Sequence, residues 1–149
     1  MEKNKSKRLQ VVHRIAAMRE QKKMLALSQS RLALNQQQQL MLQLKNYAAD
    51  YQLINQGSAQ SASSATLLHL QNASRFMRDL DGAIAAQAQR EQQSQADWQN
   101  SYSEWAQQKA RSDALQGIIE QHQQVEMREL ENAEERENTE SWLQTRKPV

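Results

Sequence analysis

An apolar residue recurs at every seventh position through the second half of the chain. Positions 70, 77, 84, 91, 98, 105, 112 and 119 carry Leu, Met, Ile, Glu, Trp, Trp, Ser and Ile, so six of these eight positions are apolar. A helix with this repeat presents one continuous side to a partner helix, as in a coiled coil. The pattern therefore predicts a long helix whose seam packs against another helix.

The first half of the chain has a less regular apolar pattern. Two rows of apolar residues repeat there every seven positions. A third group of apolar residues follows, in which the spacing alternates between four and three positions. A seam that moves from one row to the next is typical of a coiled coil with stutters. We therefore predict a helix in this half of the chain too, with a drifting seam. The seam is made of three groups: Met18, Leu25 and Leu32; Leu27, Leu34, Met41 and Ala48; and Leu40, Leu44, Tyr47, Tyr51 and Ile54.

A segment rich in Ser, Ala and Gln separates these two patterns. Residues 7–55 contain neither Gly nor Pro, and residues 66–142 contain no Pro. Gly57 suits the left-handed position that follows a helix C-terminus, and Ser63, Ser64 or Thr66 can cap the next helix. The sequence therefore predicts a first helix over about 7–55, a turn over about 56–65 and a second helix over about 66–142.

One connector between two such helices lets their seams meet only if the second helix folds back on the first. We expect an all-α fold in which residues 1–149 form a single antiparallel two-helix coiled-coil hairpin, with a longer second helix overhanging at the C-terminus. The paired arms, about 50 residues each, would be on the order of 75 Å long. A turn centred near residue 61 would place Trp105 opposite Met18, Trp98 opposite Met24 and Leu25, and Phe76 opposite Tyr47.

The composition agrees with this fold and excludes several classes of protein. The 149 residues include 3 Gly, 1 Pro and no Cys, which leaves few turn residues for a sheet and no ligands for a thiolate metal site. The N-terminus lacks the apolar stretch of a signal peptide, and no run of 18 apolar residues could span a bilayer. We therefore expect a cytoplasmic protein.

The net charge is +2, but the two ends of the chain carry charges of opposite sign. Residues 1–23 contain eight basic residues and two glutamates, whereas residues 120–140 contain eight glutamates and two arginines. In the expected register residues 1–23 face about 99–121, so the acidic stretch would extend past the first helix. An isolated helix of this length is marginal in water, so we expect it to fray or to bind a partner.

No group of residues indicates catalysis. His13, His69 and His122 are far apart in sequence and are expected to be solvated, and the glycines form no phosphate-binding loop. Carboxylate pairs such as Asp79 and Asp81 would face water, where nothing adjusts them for acid or base chemistry. We expect no enzyme, no cofactor and no metal site.

Aromatic and apolar residues on either side of the predicted turn resemble the flagellar FliJ family, the soluble coiled-coil component of the flagellar type III export apparatus. They are Tyr47 and Tyr51 in LKNYAADYQ, and Phe76, Leu80 and Ala83 in RFMRDLDGAI. The chain length, the two-helix plan, the Trp-containing second helix and the ending Arg146-Lys147-Pro148 are also similar to that family. The resemblance covers most of the chain.

The resemblance implies a non-enzymatic stalk that links two partners and does not insert into the membrane or bind nucleic acid. Members bind the hexameric export ATPase, FliI, promote its assembly and activity, reach the export gate protein, FlhA, at the inner membrane, and are associated with export chaperones. The implied gate-binding face comprises Leu44, Tyr47, Tyr51, Phe76, Leu80 and Ala83. Gln87 stands where the family often has another polar contact residue, which puts that contact in doubt.

The resemblance also implies that the charged ends contact the ATPase ring, and basic side chains there would steer association with acidic loops. The residues expected there are Arg8, Arg14, Arg19, Arg128 and Arg136.

Alternative interpretations stay open at the level of sequence. Tyr47 and Tyr51 can be ordinary seam residues, and core packing is the favoured role of Trp98, Tyr102 and Trp105. The corresponding stalk of a virulence-type injectisome would share the same hairpin. A nucleic-acid-binding arm formed by residues 1–23 is less favoured, because it lacks interleaved aromatic residues and the acidic stretch would repel phosphates.

Overall fold

The computed structural model describes residues 5–59 and 66–146. Every one of these residues except Arg146 is helical. Helix α1 spans Lys5–Ala59 and helix α2 spans Thr66–Thr145. The two helices pack against each other in antiparallel directions, and α2 is the longer one, which confirms the predicted helical hairpin. Most of the predicted turn, including Ser63 and Ser64, lies outside the described residues.

Gly57 does not end the first helix, contrary to our expectation. It lies within α1, which continues to Ala59, and no glycine in the described residues has a positive φ. A glycine inside a helix costs about 1 kcal/mol relative to alanine, which weakens the helix without stopping it. The left-handed cap predicted at Gly57 is therefore wrong.

The contacts divide the chain into two compact units, each of which contains part of both helices. The first unit comprises Met1–Lys23 and Glu104–Val149, and the second unit comprises Met24–Ser103.

In the second unit, the least exposed positions of both helices alternate in steps of three and four residues, as a heptad seam requires. Met41, Ala73 and Leu80 are its buried apolar residues, and Gln87 is buried with them. The row predicted through Leu27, Leu34, Met41 and Ala48 faces α2. The row through Leu25 and Leu32 does not, because both side chains are about 60% exposed.

In the first unit, the seam follows the same spacing but passes through many polar residues. Ala16 and Ile119 are buried, and so are Ser6 and Ser112. The remaining low-exposure positions of α1 are Leu9, His13, Ala17, Glu20 and Lys23. The drifting seam predicted for the first helix is therefore wrong: the same two heptad positions continue through this unit, occupied largely by polar or small residues.

The side-chain contacts also correct the predicted register. Gln87 contacts Gln37 and Gln108 contacts Ala16, whereas a turn centred near residue 61 would have placed residues 85 and 106 there. The difference agrees with the bounds of the helices, because the midpoint between the end of α1 at Ala59 and the start of α2 at Thr66 lies beyond residue 61. Met18, Met24 and Leu25 are exposed, so the pairings predicted for them with Trp105 and Trp98 are wrong.

Candidate functional site

Three aromatic side chains form a cluster between α1 and α2 in the second unit. The ring centroids of Tyr51 and Phe76 are 4.5 Å apart, and those of Tyr47 and Phe76 are 6.4 Å apart, with tilted ring planes in both pairs. Tyr47 and Tyr51 are one turn apart on α1, so both rings reach Phe76 on the facing helix. We call Tyr47, Tyr51 and Phe76 the aromatic patch; the predicted pairing of Tyr47 with Phe76 is confirmed.

The members of the aromatic patch differ in exposure, which separates an outward-facing residue from a seam residue. Tyr51 is half-buried and occupies a seam position, whereas Tyr47 is 61% exposed and Phe76 is 38% exposed. Tyr47 therefore does not pack as an ordinary seam residue. It combines a ring anchored against Phe76 with a large surface open to a partner, a combination common among side chains that dominate protein interfaces.

The other three residues of the expected gate-binding face take different positions around this patch. Leu80 is buried and Leu44 is half-buried, so both belong to the seam. Ala83 is exposed on α2. The six expected residues therefore combine an exposed part, formed by Tyr47, Phe76 and Ala83, with a supporting part that packs between the helices.

Gln87 is turned inward, which removes it from the surface where a partner would bind. Only 3% of its surface is exposed. Its side-chain nitrogen donates to the backbone oxygen of Gln37 at 3.0 Å and to Oε1 of Gln37 at 2.6 Å. Gln87 thus acts as a polar member of the seam.

Apolar side chains beyond the six expected residues enlarge the exposed surface of the second unit. They lie on the last turns of α1 and on the first turns of α2, and our sequence analysis did not assign them to a site. For Leu53, Leu67 and Leu68 the signal was available, because they fall outside the heptad rows that face the partner helix. Ile54 and Leu70 were expected in the seams, and the structure leaves both exposed instead. The residues are Leu53, Ile54, Leu67, Leu68 and Leu70, all of which are at least half exposed.

The basic residues expected to contact the ATPase lie in two groups within the first unit. Arg8, Arg14 and Arg19 are exposed on α1, whereas Arg128 and Arg136 are exposed on the last part of α2.

The hydroxyl of Ser6, near the start of α1, donates to Glu126 of α2 at 3.0 Å. Every residue from Met127 to Arg146 is exposed, and we call residues 127–146 the acidic tail.

Charged side chains also join the two helices of the first unit. Lys23 Nζ lies 2.9 Å from Glu104 Oε2, and the side chains of Lys23 and Glu104 are 45% and 59% exposed. His13 Nε2 lies 3.5 Å from the hydroxyl of Ser112. Because His13 is half-buried in the seam, the expectation that it is a solvated surface residue is wrong.

The described residues contain no group of three or more His, Asp or Glu side chains placed to hold a metal ion. Neither α1 nor α2, as far as the structure describes them, offers the long apolar stretch that crossing a lipid bilayer requires.

Comparison with known proteins gives one family match. The family described as flagellar FliJ protein matches residues 5–144 of the 149. No curated protein and no solved structure matches this chain. The match covers nearly all of α1 and α2, including the aromatic patch and most of the acidic tail.

Proposed function

Because this chain belongs to the flagellar FliJ family, a family of flagellar protein export, we propose that it is a non-enzymatic connector between the hexameric export ATPase and the export gate. The observation that carries the proposal is the aromatic patch, which lies within the matched residues and is exposed on one side. Its tyrosines and phenylalanine are the residues on which the resemblance to the family rested.

The gate-binding role is supported by the way the aromatic patch is built. Phe76 holds both tyrosine rings at contact distance, so less side-chain entropy is lost on binding than with isolated, mobile rings. Buried Leu80 and half-buried Leu44 fix the helices underneath. A gate protein with an apolar groove would gain area from Tyr47, Phe76 and Ala83 without any rearrangement of the seam.

The ATPase-binding role is supported by the exposed charges of the first unit. Arg8, Arg14 and Arg19 are available on α1, and Arg128 and Arg136 are available on the acidic tail. A single connector meets a ring of repeated subunits asymmetrically, so it can favour one subunit state over its neighbours. We propose that it promotes ring assembly and ATP hydrolysis in this way while catalysing no reaction itself, and that it also helps to escort export chaperones.

The gate-binding role is tested with Tyr47→Ala, measured by binding to the soluble part of the gate protein. Because Tyr47 is largely exposed, the variant should keep its helicity while its dissociation constant rises at least about 10-fold, as for a hot-spot tyrosine. The matched control is Tyr102→Ala, which removes another exposed tyrosine of the second unit and should bind normally. Equal binding by both variants would refute the assigned face.

The ATPase-binding role is tested with the triple variant Arg8→Glu, Arg14→Glu and Arg19→Glu, measured by ATP turnover and by the amount of hexameric ATPase. We expect the unmodified chain to raise both quantities and the variant to lose most of this effect. A control with the same change of charge is Arg31→Glu, Arg78→Glu and Arg90→Glu, all exposed in the second unit. An unmodified chain that leaves turnover and assembly unchanged would exclude this role.

A further inference from the structure

The outer face of α1 in the first unit combines apolar and basic side chains. Val11, Ile15 and Met18 are each about half exposed and follow one another at intervals of four and three residues, so they form a stripe along one side of the helix. The stripe faces away from the seam, which runs through Leu9, His13 and Ala16. It leaves an apolar helix face exposed.

The charges around this stripe have one sign. Residues 7–22 contain five basic residues and one glutamate. The glutamate, Glu20, is half-buried at a seam position, whereas all five basic side chains are exposed. We call this surface of α1 the basic stripe; it comprises Val11, Ile15 and Met18 with Lys7, Arg8, Arg14, Arg19 and Lys22.

The acidic tail has the opposite properties over a similar length. Residues 127–146 contain six glutamates and three arginines. Met127 and Leu130, three residues apart, are both more than half exposed, as are Trp142 and Leu143 further along. The heptad positions that continue the seam of α2 fall on Glu129, Ala133, Arg136, Glu140 and Leu143 in the tail. Three of these five positions are charged, so the tail does not continue the apolar seam that packs on α1.

We propose that the acidic tail of one copy of this chain docks on the basic stripe of a second copy, forming a symmetric dimer. Charge complementarity identifies the occupant, because an acidic helix with exposed Met127 and Leu130 matches a basic helix face with exposed Val11, Ile15 and Met18. The continuous helix α2 carries the tail past Ser6, so it does not turn back onto α1 of its own chain. In a two-fold dimer each copy supplies one stripe and one tail, and both contacts form at once.

The dimer is expected to be weak and sensitive to salt. Two short helix contacts form an interface at the low end of the size range of specific complexes, for which we expect a dissociation constant of about 10 μM. Because the charges are exposed, about 0.5 M salt should weaken association several-fold by screening.

Sedimentation equilibrium of the full chain, over concentrations that bracket this value, tests the proposal without any export component. The unmodified chain should pass from monomer to dimer. Arg14→Glu with Arg19→Glu should raise the dissociation constant at least 10-fold, and Glu129→Arg with Glu131→Arg, which change the glutamates next to Met127 in the tail, should do the same. Mixing these two variants should restore association. The stripe made acidic in one variant then meets the tail made basic in the other, and the second contact keeps its native charges. The control, Arg31→Glu with Arg90→Glu, should dimerise normally.

The outcomes separate the alternatives. A chain that stays monomeric at every concentration would overturn the proposal, and so would a mixture of the two variants that fails to associate. Circular dichroism of each variant shows whether its helices remain intact. As a second readout, the absence of cysteine allows Ile15→Cys and Met127→Cys copies to be mixed. A disulfide between the two cysteine variants is expected. A known coiled coil with cysteines at facing positions is the control for the oxidising conditions. If the control cross-links and the two variants do not, the docking is contradicted.

Discussion

The side-chain amide of Gln87 donates two hydrogen bonds to Gln37 across the seam of the second unit, one to the backbone oxygen and one to Oε1. Gln87 is buried in the same seam as Met41 of α1 and Leu80 of α2. A polar pair at a seam position lowers stability but specifies the register. A shift by one heptad in either direction would place one of the two glutamines opposite a leucine, either Leu44 or Leu80. The pair therefore favours this alignment of α1 and α2 over its neighbours.

We predict that the cost of altering this pair depends on whether one or both partners change. Gln87→Leu alone should lower the free energy of unfolding by about 1 kcal/mol, because the amide of Gln37 loses its partner. The double variant Gln37→Leu with Gln87→Leu should be at least as stable as the unmodified chain. Urea unfolding followed by circular dichroism measures both. Gln92→Leu, at an exposed position, is the control, and additive effects of the two substitutions would contradict the assigned pair.

Ile118 and Ile119 provide a direct measurement of the seam in the first unit. Ile119 is 3% exposed and Ile118 is 41% exposed. Ile119→Ala should therefore destabilise the chain by about 2 kcal/mol through lost burial and a residual cavity. Ile118→Ala should cost less than about 1 kcal/mol, because its side chain is largely in water already. Thermal unfolding gives both values, and equal losses would show that the heptad assignment of α2 is wrong.

The phase of α1 is tested by introducing lysine at neighbouring leucines. Leu34 lies in the seam, whereas Leu32 faces water. Leu34→Lys should lower the free energy of unfolding by at least about 1 kcal/mol, because the seam must then accommodate an ammonium group. Leu32→Lys should change it by no more than about 0.5 kcal/mol. The opposite order, measured by urea unfolding, would support the seam through Met18, Leu25 and Leu32 that the structure excludes.

The Tyr51–Phe76 contact should contribute a measurable coupling to stability. Ring centroids 4.5 Å apart are expected to interact by about 0.5–1.5 kcal/mol beyond the area that each ring buries. A double-mutant cycle with Tyr51→Leu and Phe76→Leu isolates that energy. The same cycle on Tyr47 and Phe76, at 6.4 Å, should give a smaller value, and a coupling of zero in both cycles would show that the patch is not packed in solution.

The ion pair between Lys23 and Glu104 should contribute little to stability despite its distance of 2.9 Å. Both side chains remain largely in water, where an exposed pair is typically worth less than about 1 kcal/mol and is screened by salt. Lys23→Gln should therefore change the unfolding midpoint only slightly, and less at high salt. A large loss that persists at high salt would indicate that Lys23 packs through its aliphatic stem instead.

The sequence by itself determined the helical class, the folding back of the chain and the seam of α2. These follow from local and periodic properties: few glycines and prolines favour long helices, and a strict period of seven on α2 marks the side that must be covered. The two tyrosines and Phe76 could be recognised before the structure, since their distances from the turn are properties of the chain alone.

Only the tertiary structure decided which side of α1 faces α2. The apolar residues of α1 occupy two sides, so periodicity could not distinguish the row through Leu25 and Leu32 from the row through Leu27 and Leu34. The outcome depends on how the two seams match. Gln37 is accepted inside because Gln87 on α2 offers it hydrogen bonds, and Leu25 and Leu32 remain exposed because their side of α1 faces away from α2. Burial is a property of pairs of surfaces, and a single helix sequence specifies only one of them.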